Sequence, residues 1–158
     1  NTKWYNSKDG LIYVNDILYR YRDDNLSDTT IDIKEGTKSV STSAFASCRK
    51  IVNVTIPYGI ERISEKMFLW CDNLKNVSIP DSVKEIDEHA FEGCKSMTEI
   101  TLPNSITRIE NGIFYDCSKL TSVTFKGTKE EWNSISKDNW NAGSSVQKVI
   151  CSDGEIEI

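Results

Sequence analysis

Four segments of this chain repeat at a spacing of 23 residues, and that period limits the fold more than any other feature. Phe45, Phe68, Phe91 and Phe114 each open a unit, and Cys48, Cys71, Cys94 and Cys117 follow three residues later. Ile51, Leu74, Met97 and Leu120 come next, then Val54, Val77, Ile100 and Val123, then Ile56, Ile79, Leu102 and Phe125. Pro57, Pro80 and Pro103 close three of the runs, and Lys126 takes that place in the fourth. A fixed period of this length marks a solenoid, in which each coil buries its apolar side only against its neighbours.

Each unit divides into three parts. Ile51–Pro57 and its copies fit L-x-x-L-x-L, a strand in which Val54 and Ile56 turn inward while Asn53 and Thr55 face out. A second short apolar run, Ile60 and Ile63, recurs as Val83 and Ile86 and as Ile106 and Ile109. Ser64–Cys71 and its copies carry Phe and Cys at i and i+3, which predicts a helical turn with one buried side. The array begins one period before the first Cys, because Ile31 and Ile33 precede Val54 and Ile56 by 23 residues.

Both ends depart from the pattern, as array ends should. Leu11–Tyr21 reads as two β-prone runs about Asn15 and Asp16, hence a hairpin, and residues 22–30 read as a loop. After Phe125, Thr128 and Glu131 form a capping-box pattern for a helix. Trp132 lies 23 residues after Ile109, which places this helix where the last coil would be. Val149–Ile158 predicts a hairpin about Asp153 and Gly154.

These residues resemble the BspA-like leucine-rich repeat family, whose unit reads A-F-x-x-C-x-x-L-x-x-V-x-I-P-x-x-V-x-x-I. Ala90 to Ile109 follow it position by position, and the match runs over roughly residues 31–158. The expected fold is a leucine-rich-repeat-type solenoid, α/β but mainly β with short helical turns. It is one continuous domain: an N-terminal β-hairpin cap at 1–30, repeats at 31–126 and a C-terminal helix-hairpin cap at 127–158. The Asn ladder of the commonest leucine-rich repeats is missing, with Gly59, Ser82 and Ser105 at that offset. Backbone groups at that bend then need another partner, for which the second strand is the candidate.

The resemblance implies a secreted or surface protein of bacteria, among relatives several of which are taken to be adhesins. It carries over no functional residue, since the shared motif is all core. Net charge is −5 with scattered Lys and Arg, so no basic patch would hold a phosphate backbone, and nucleic acid is not an expected partner. No run of about 20 apolar residues is present to span a membrane. The chain opens at Asn1 without Met or a leader pattern, as after removal of a signal peptide or trimming of a longer chain.

The chemical candidates weigh toward packing. A thiol ladder could form disulfides or hold metal, but Cys behaves as a small buried hydrophobe and here shares a side with the Phe ladder. Cys151 stands apart and is expected to be inert. His89, the one histidine, is expected to face solvent without the oriented partner a general base needs. No catalytic residue, metal site or cofactor is expected. Arg62, Glu85 and Arg108, and Glu61, Lys84 and Thr107, should stack across coils and fix register.

The outward positions of the main sheet are the candidate binding face: Asp32, Asn53, Thr55, Asn76, Ser78, Glu99, Thr101, Ser122 and Thr124. Trp70, Tyr58 and Tyr115, in the turns, are candidate anchors. The expected function is a non-enzymatic, monomeric binding or adhesion module, extracellular or on a bacterial surface, for a host or microbial surface protein or a glycan. A structural spacer is the first alternative, and a glycan-processing enzyme the second.

Overall fold

The computed structural model describes residues 4–6, 10–22 and 27–158. In chain order its elements are β1 (Trp4–Asn6), β2 (Leu11–Val14), β3 (Ile17–Tyr21), β4 (Thr29–Asp32), β5 (Ser39–Val40), β6 (Ile51–Thr55) and β7 (Arg62–Ile63). β8 (Asn76–Ser78), β9 (Glu85–Ile86), β10 (Thr101–Leu102), β11 (Arg108–Ile109) and β12 (Ser122–Phe125) follow. Helix α1 (Lys129–Ser134), β13 (Ser136–Lys137), β14 (Lys148–Cys151) and β15 (Gly154–Glu157) complete the order.

The coils stack in parallel, and most periods contribute one strand to each of two ladders; β5 of the first period pairs with β3 instead. The main ladder runs β4, β6, β8 and then β10, β12, β14, with β15 turning back antiparallel on β14. Its register is the sequence period itself: Asn53 faces Asn76, Thr55 faces Ser78 and Thr101 faces Thr124. The second ladder joins β7, β9, β11 and β13, and Arg62, Glu85 and Arg108 stand in line there as expected. The hairpin about Asn15 and Asp16 forms, with Asn15 at φ 57°, and β3 adds parallel to β5. Strand β1 has no counterpart in the sequence reading, and β4 begins inside the stretch read there as loop. Residues 23–26 of that loop lie outside the described residues.

The third side is not helical, contrary to expectation. Each turn passes twice through the left-handed region, at Ser43 and Ser47, at Lys66 and Trp70, at His89 and Gly93, and at Gly112 and Asp116. A helix cannot continue through such residues. What forms instead is a third ladder between coils: Phe45 N–H donates to Met67 O, Phe68 N–H to Ala90 O and Phe91 N–H to Ile113 O, at 3.0, 2.8 and 3.0 Å. Phe and Cys at i and i+3 mark one buried side of this turn, but the spacing alone does not distinguish it from a helix.

Inside, the aromatic rings form one column. Phe45, Phe68, Phe91 and Phe114 stack at centroid separations of 5.4, 5.4 and 5.7 Å. Tyr21 continues the column at one end, 5.8 Å from Phe45, and Trp140 at the other, 6.2 Å from Phe114. All six residues are buried. Neither terminal ring keeps the sequence period, which is why the repeat pattern does not reveal them.

One expectation about the C-terminal part holds and one is corrected. The capping box is present, Thr128 Oγ1 accepting from Glu131 N–H and Glu131 Oε2 accepting from Thr128 N–H. Yet α1 does not replace the last coil; it is inserted into it. Lys137, not Trp132, pairs with Ile109, and β14 then stacks on β12 with Val149 beside Val123. Buried Trp132 fills the core between Phe125 and Trp140, 5.3 Å from each.

Candidate binding face

Parallel strands in register place the outward residues in two rows. Asn53, Asn76, Glu99 and Ser122 form one, and Asp32, Thr55, Ser78, Thr101 and Thr124 the other. Asp32, Thr55, Asn76, Ser78, Glu99 and Thr101 are exposed, while Asn53, Ser122 and Thr124 are half-buried. The first row is partly engaged. Asn53 donates Nδ2–H to Thr30 Oγ1 at 3.1 Å, and Asn76 donates Nδ2–H to Asn53 Oδ1 at 2.8 Å. These amides hold coil to coil, which leaves Thr55, Ser78, Glu99 and Thr101 as the residues most available to a partner.

The charged side uses its side chains for register. Arg62 pairs with Glu85 at 2.5 Å and with Asp87 at 3.2 Å, and Lys84 pairs with Glu61 at 3.0 Å. Arg108 keeps its place beside Glu85 in the ladder, but its ion pair is with Glu110, at 2.5 Å. Exposed pairs of this kind contribute about 0–1 kcal/mol each. Asp87 is pushed above the ordinary carboxylate range by burial, partly offset by Arg62.

The missing Asn ladder is replaced by serine, not by the second strand. Ser82 Oγ accepts from Gly59 N–H at 3.0 Å and donates to Ile60 O at 2.8 Å, and Ser105 Oγ donates to Val83 O at 2.6 Å. The next coil thus satisfies the bend.

The four ladder cysteines lie on the turn side and Cys151 ends β14; all five are buried and none is joined in a disulfide. The ladder thiols have a partner that composition could not disclose. Cys71 Sγ donates to Phe45 O at 3.0 Å, Cys94 to Phe68 O at 3.4 Å and Cys117 to Phe91 O at 3.0 Å. These three thiols therefore tie their coils to the Phe backbone of the preceding one, whereas Cys48 donates within its own turn to Ala46 O. Burial, then the neighbouring Cys117 thiol, pushes Cys94 well above the ordinary thiol range, so it carries no reactive thiolate.

His89 is corrected from solvent-facing to half-buried. Its Nδ1 lies 2.9 Å from Glu92 Oε2 and its Nε2 3.4 Å from Glu88 Oε1, and its ring covers Gly112. Of the three aromatics in the turns, Tyr58 is the most exposed, while Trp70 and Tyr115 are seated against Gly93 and Gly143. These three do not lie on the strand face. No group of three or more His, Cys, Asp or Glu side chains is arranged to hold a metal among the described residues.

The model of the BspA type leucine rich repeat region matches residues 19–153 in six copies. The chain belongs to this family. Among solved structures it is similar to the Treponema pallidum leucine rich repeat protein, with a TM-score of 0.71 and 24% identity over 94% of this chain and 67% of that one. A leucine rich cell surface protein of Faecalibacterium prausnitzii gives 0.63 and 27%, over 87% of this chain and 41% of that one. The pneumococcal vaccine antigen PcpA gives 0.76 and 20%, over 97% and 37%. The first and third likenesses concern the fold alone. The chain spans about two fifths of the two longer structures. Among curated protein sequences, none matches. This chain is thus a repeat scaffold of about six coils, two of them beyond the four with the full Phe/Cys signature. Among the described residues no helix is long and apolar enough to cross a membrane.

Proposed function

We propose that this solenoid is a non-enzymatic binding or adhesion module that meets a protein or glycan partner with its main-sheet face. The supporting observation is the contrast between sides. Thr55, Ser78 and Thr101 are exposed on the strands of the main ladder, and Glu99 is exposed just before β10. The turn side and second ladder spend their side chains on cysteine hydrogen bonds and ion pairs. Short polar side chains without Trp or Arg favour a weak contact, gaining strength by repetition. Display outside a bacterial cell accords with the Faecalibacterium relative, which is described as a cell surface protein. In this reading the chain acts as a monomer, with the hairpin within 1–30 and the helix and hairpin within 127–158 capping the repeats at 31–126.

The test is saturable binding of this chain to immobilised host matrix proteins, bacterial surface proteins and glycans. A binder gives a concentration-dependent plateau on at least one of them. A spacer gives none, and an enzyme releases soluble product from the glycan set; either outcome would replace the proposal.

A further inference from the structure

The main ladder is not continuous. Strand β8 ends the sheet formed by β4, β6 and β8, and β10 begins the sheet that runs on through β12, β14 and β15. The hydrogen bonds on either side are regular. Ile33 N–H donates to Thr55 O and Ile56 N–H to Ser78 O, both at 3.1 Å, and Thr124 N–H donates to Ile100 O at 2.9 Å. Ile79 holds the same place as Ile33 and Ile56, and no carbonyl of the next coil accepts its N–H.

Burial marks the same place independently. At the inward valine position, Val54, Ile100 and Val123 are 1%, 4% and 0% exposed, whereas Val77 is only partly buried. The other two sides stay closed across this junction. Thr107 and Glu110 N–H groups donate to Lys84 O and Ile86 O at 2.8 and 2.9 Å, and Phe68 and Trp70 donate to Ala90 O and Glu92 O, each at 2.8 Å. The Phe68 and Phe91 rings remain stacked.

We propose that this seam is a hinge. Two plates, one bearing Thr55 and Ser78 and the other Thr101 and Thr124, are joined along two sides of the prism and parted on the third. An element hinged in this way opens on the face where the ladder is interrupted, because fewer hydrogen bonds oppose opening there. Unpaired backbone groups at the seam also exchange with water at lower cost than those inside either sheet. One side chain straps the gap: Lys126, the residue that replaces proline in its repeat, reaches past the intervening coil to Asp81 Oδ1 at 2.8 Å. The hinge changes the curvature of the strand face, and it stands whether or not that face binds a partner.

Amide hydrogen exchange of the intact chain, resolved by residue, tests it. Ile79 should exchange more than about tenfold faster than Ile56 once intrinsic rates are removed, while Phe68 stays protected. A Ser78→Cys and Thr101→Cys pair, in line across the seam, should oxidise to a disulfide and slow Ile79 exchange by more than about tenfold. The same pairing placed within one sheet, Thr55→Cys with Ser78→Cys, should leave Ile79 unchanged. Protection of Ile79 within about tenfold of Ile56, or no slowing on oxidation of the seam pair, would overturn the hinge.

Discussion

The indole of Trp70 occupies the space that a side chain on Gly93 would need. A Cβ built on Gly93 would stand 2.7 Å from Trp70 Cε3, closer than carbon atoms pack. Both residues sit at the same turn position in successive coils and both are left-handed, at φ 57° and 72°. Trp70 tolerates that conformation, so backbone strain alone does not demand glycine; the ring does. Gly93→Ala should cost about 1–3 kcal/mol by overpacking. In a thermal melt, the double variant with Trp70→Ala should recover most of that loss. An undiminished loss in the double variant would assign the glycine to its φ.

Removing one ring from the column should affect the whole array. Phe91 is fully buried between Phe68 and Phe114. Phe91→Ala should cost about 3–5 kcal/mol, against about 5–15 kcal/mol for a domain. Coils gain their stability from neighbours, so a urea melt should shift as one transition. A midpoint equal to that of the unaltered chain would contradict the column.

The cysteine ladder should be silent to thiol reagents in the folded chain and reactive after denaturation. It should also make the fold sensitive to alkali. Cys94 keeps its proton in the folded state, whereas in the unfolded chain it titrates near the ordinary value of about 8.5. Its contribution to stability is therefore complete below about pH 8.5 and declines above it, by at most about 1.4 kcal/mol per pH unit. Denaturant melts between neutral and alkaline pH would measure the slope, and Cys94→Ala should reduce it. A slope unchanged by that substitution would place the alkaline effect elsewhere.

Serine at the bend should contribute measurably. Ser82→Ala leaves Gly59 N–H without its side-chain acceptor and Ile60 O without its donor. The expected cost is about 1 kcal/mol, because both groups regain water in part. A neutral effect would mean that the bend is solvated in any case.

What could be read from the sequence follows from what the period encodes. Inward positions recur because each coil must bury the same face, so Val54, Ile56, Phe68 and their copies reveal the core and the register directly. The pairing of Arg62 with Glu85 was legible for the same reason. The turn was not, because Phe and Cys at i and i+3 mark one buried side in a helix and equally in a left-handed turn. The last coil was obscured by the inserted helix, which moves the partner of Ile109 from Trp132 to Lys137. The thiol donors and the seam depend on backbone positions that no residue type announces. On the strand face the rows were legible, but the amide bonds of Asn53 and Asn76, which occupy part of it, were not.

Binding by variants on opposite sides of the prism tests the central claim most directly. Thr55→Lys with Thr101→Lys alters the strand face, and Lys66→Ala with Asn111→Ala alters the turn side. Each would be titrated against the immobilised protein or glycan that gives a saturable plateau, after melting curves have shown that both variants fold. The strand-face variant should weaken binding by about tenfold or more, a loss of about 1.4 kcal/mol, with the turn-side variant unchanged. Loss confined to the turn-side variant would contradict the account and move the site to the Trp70 side.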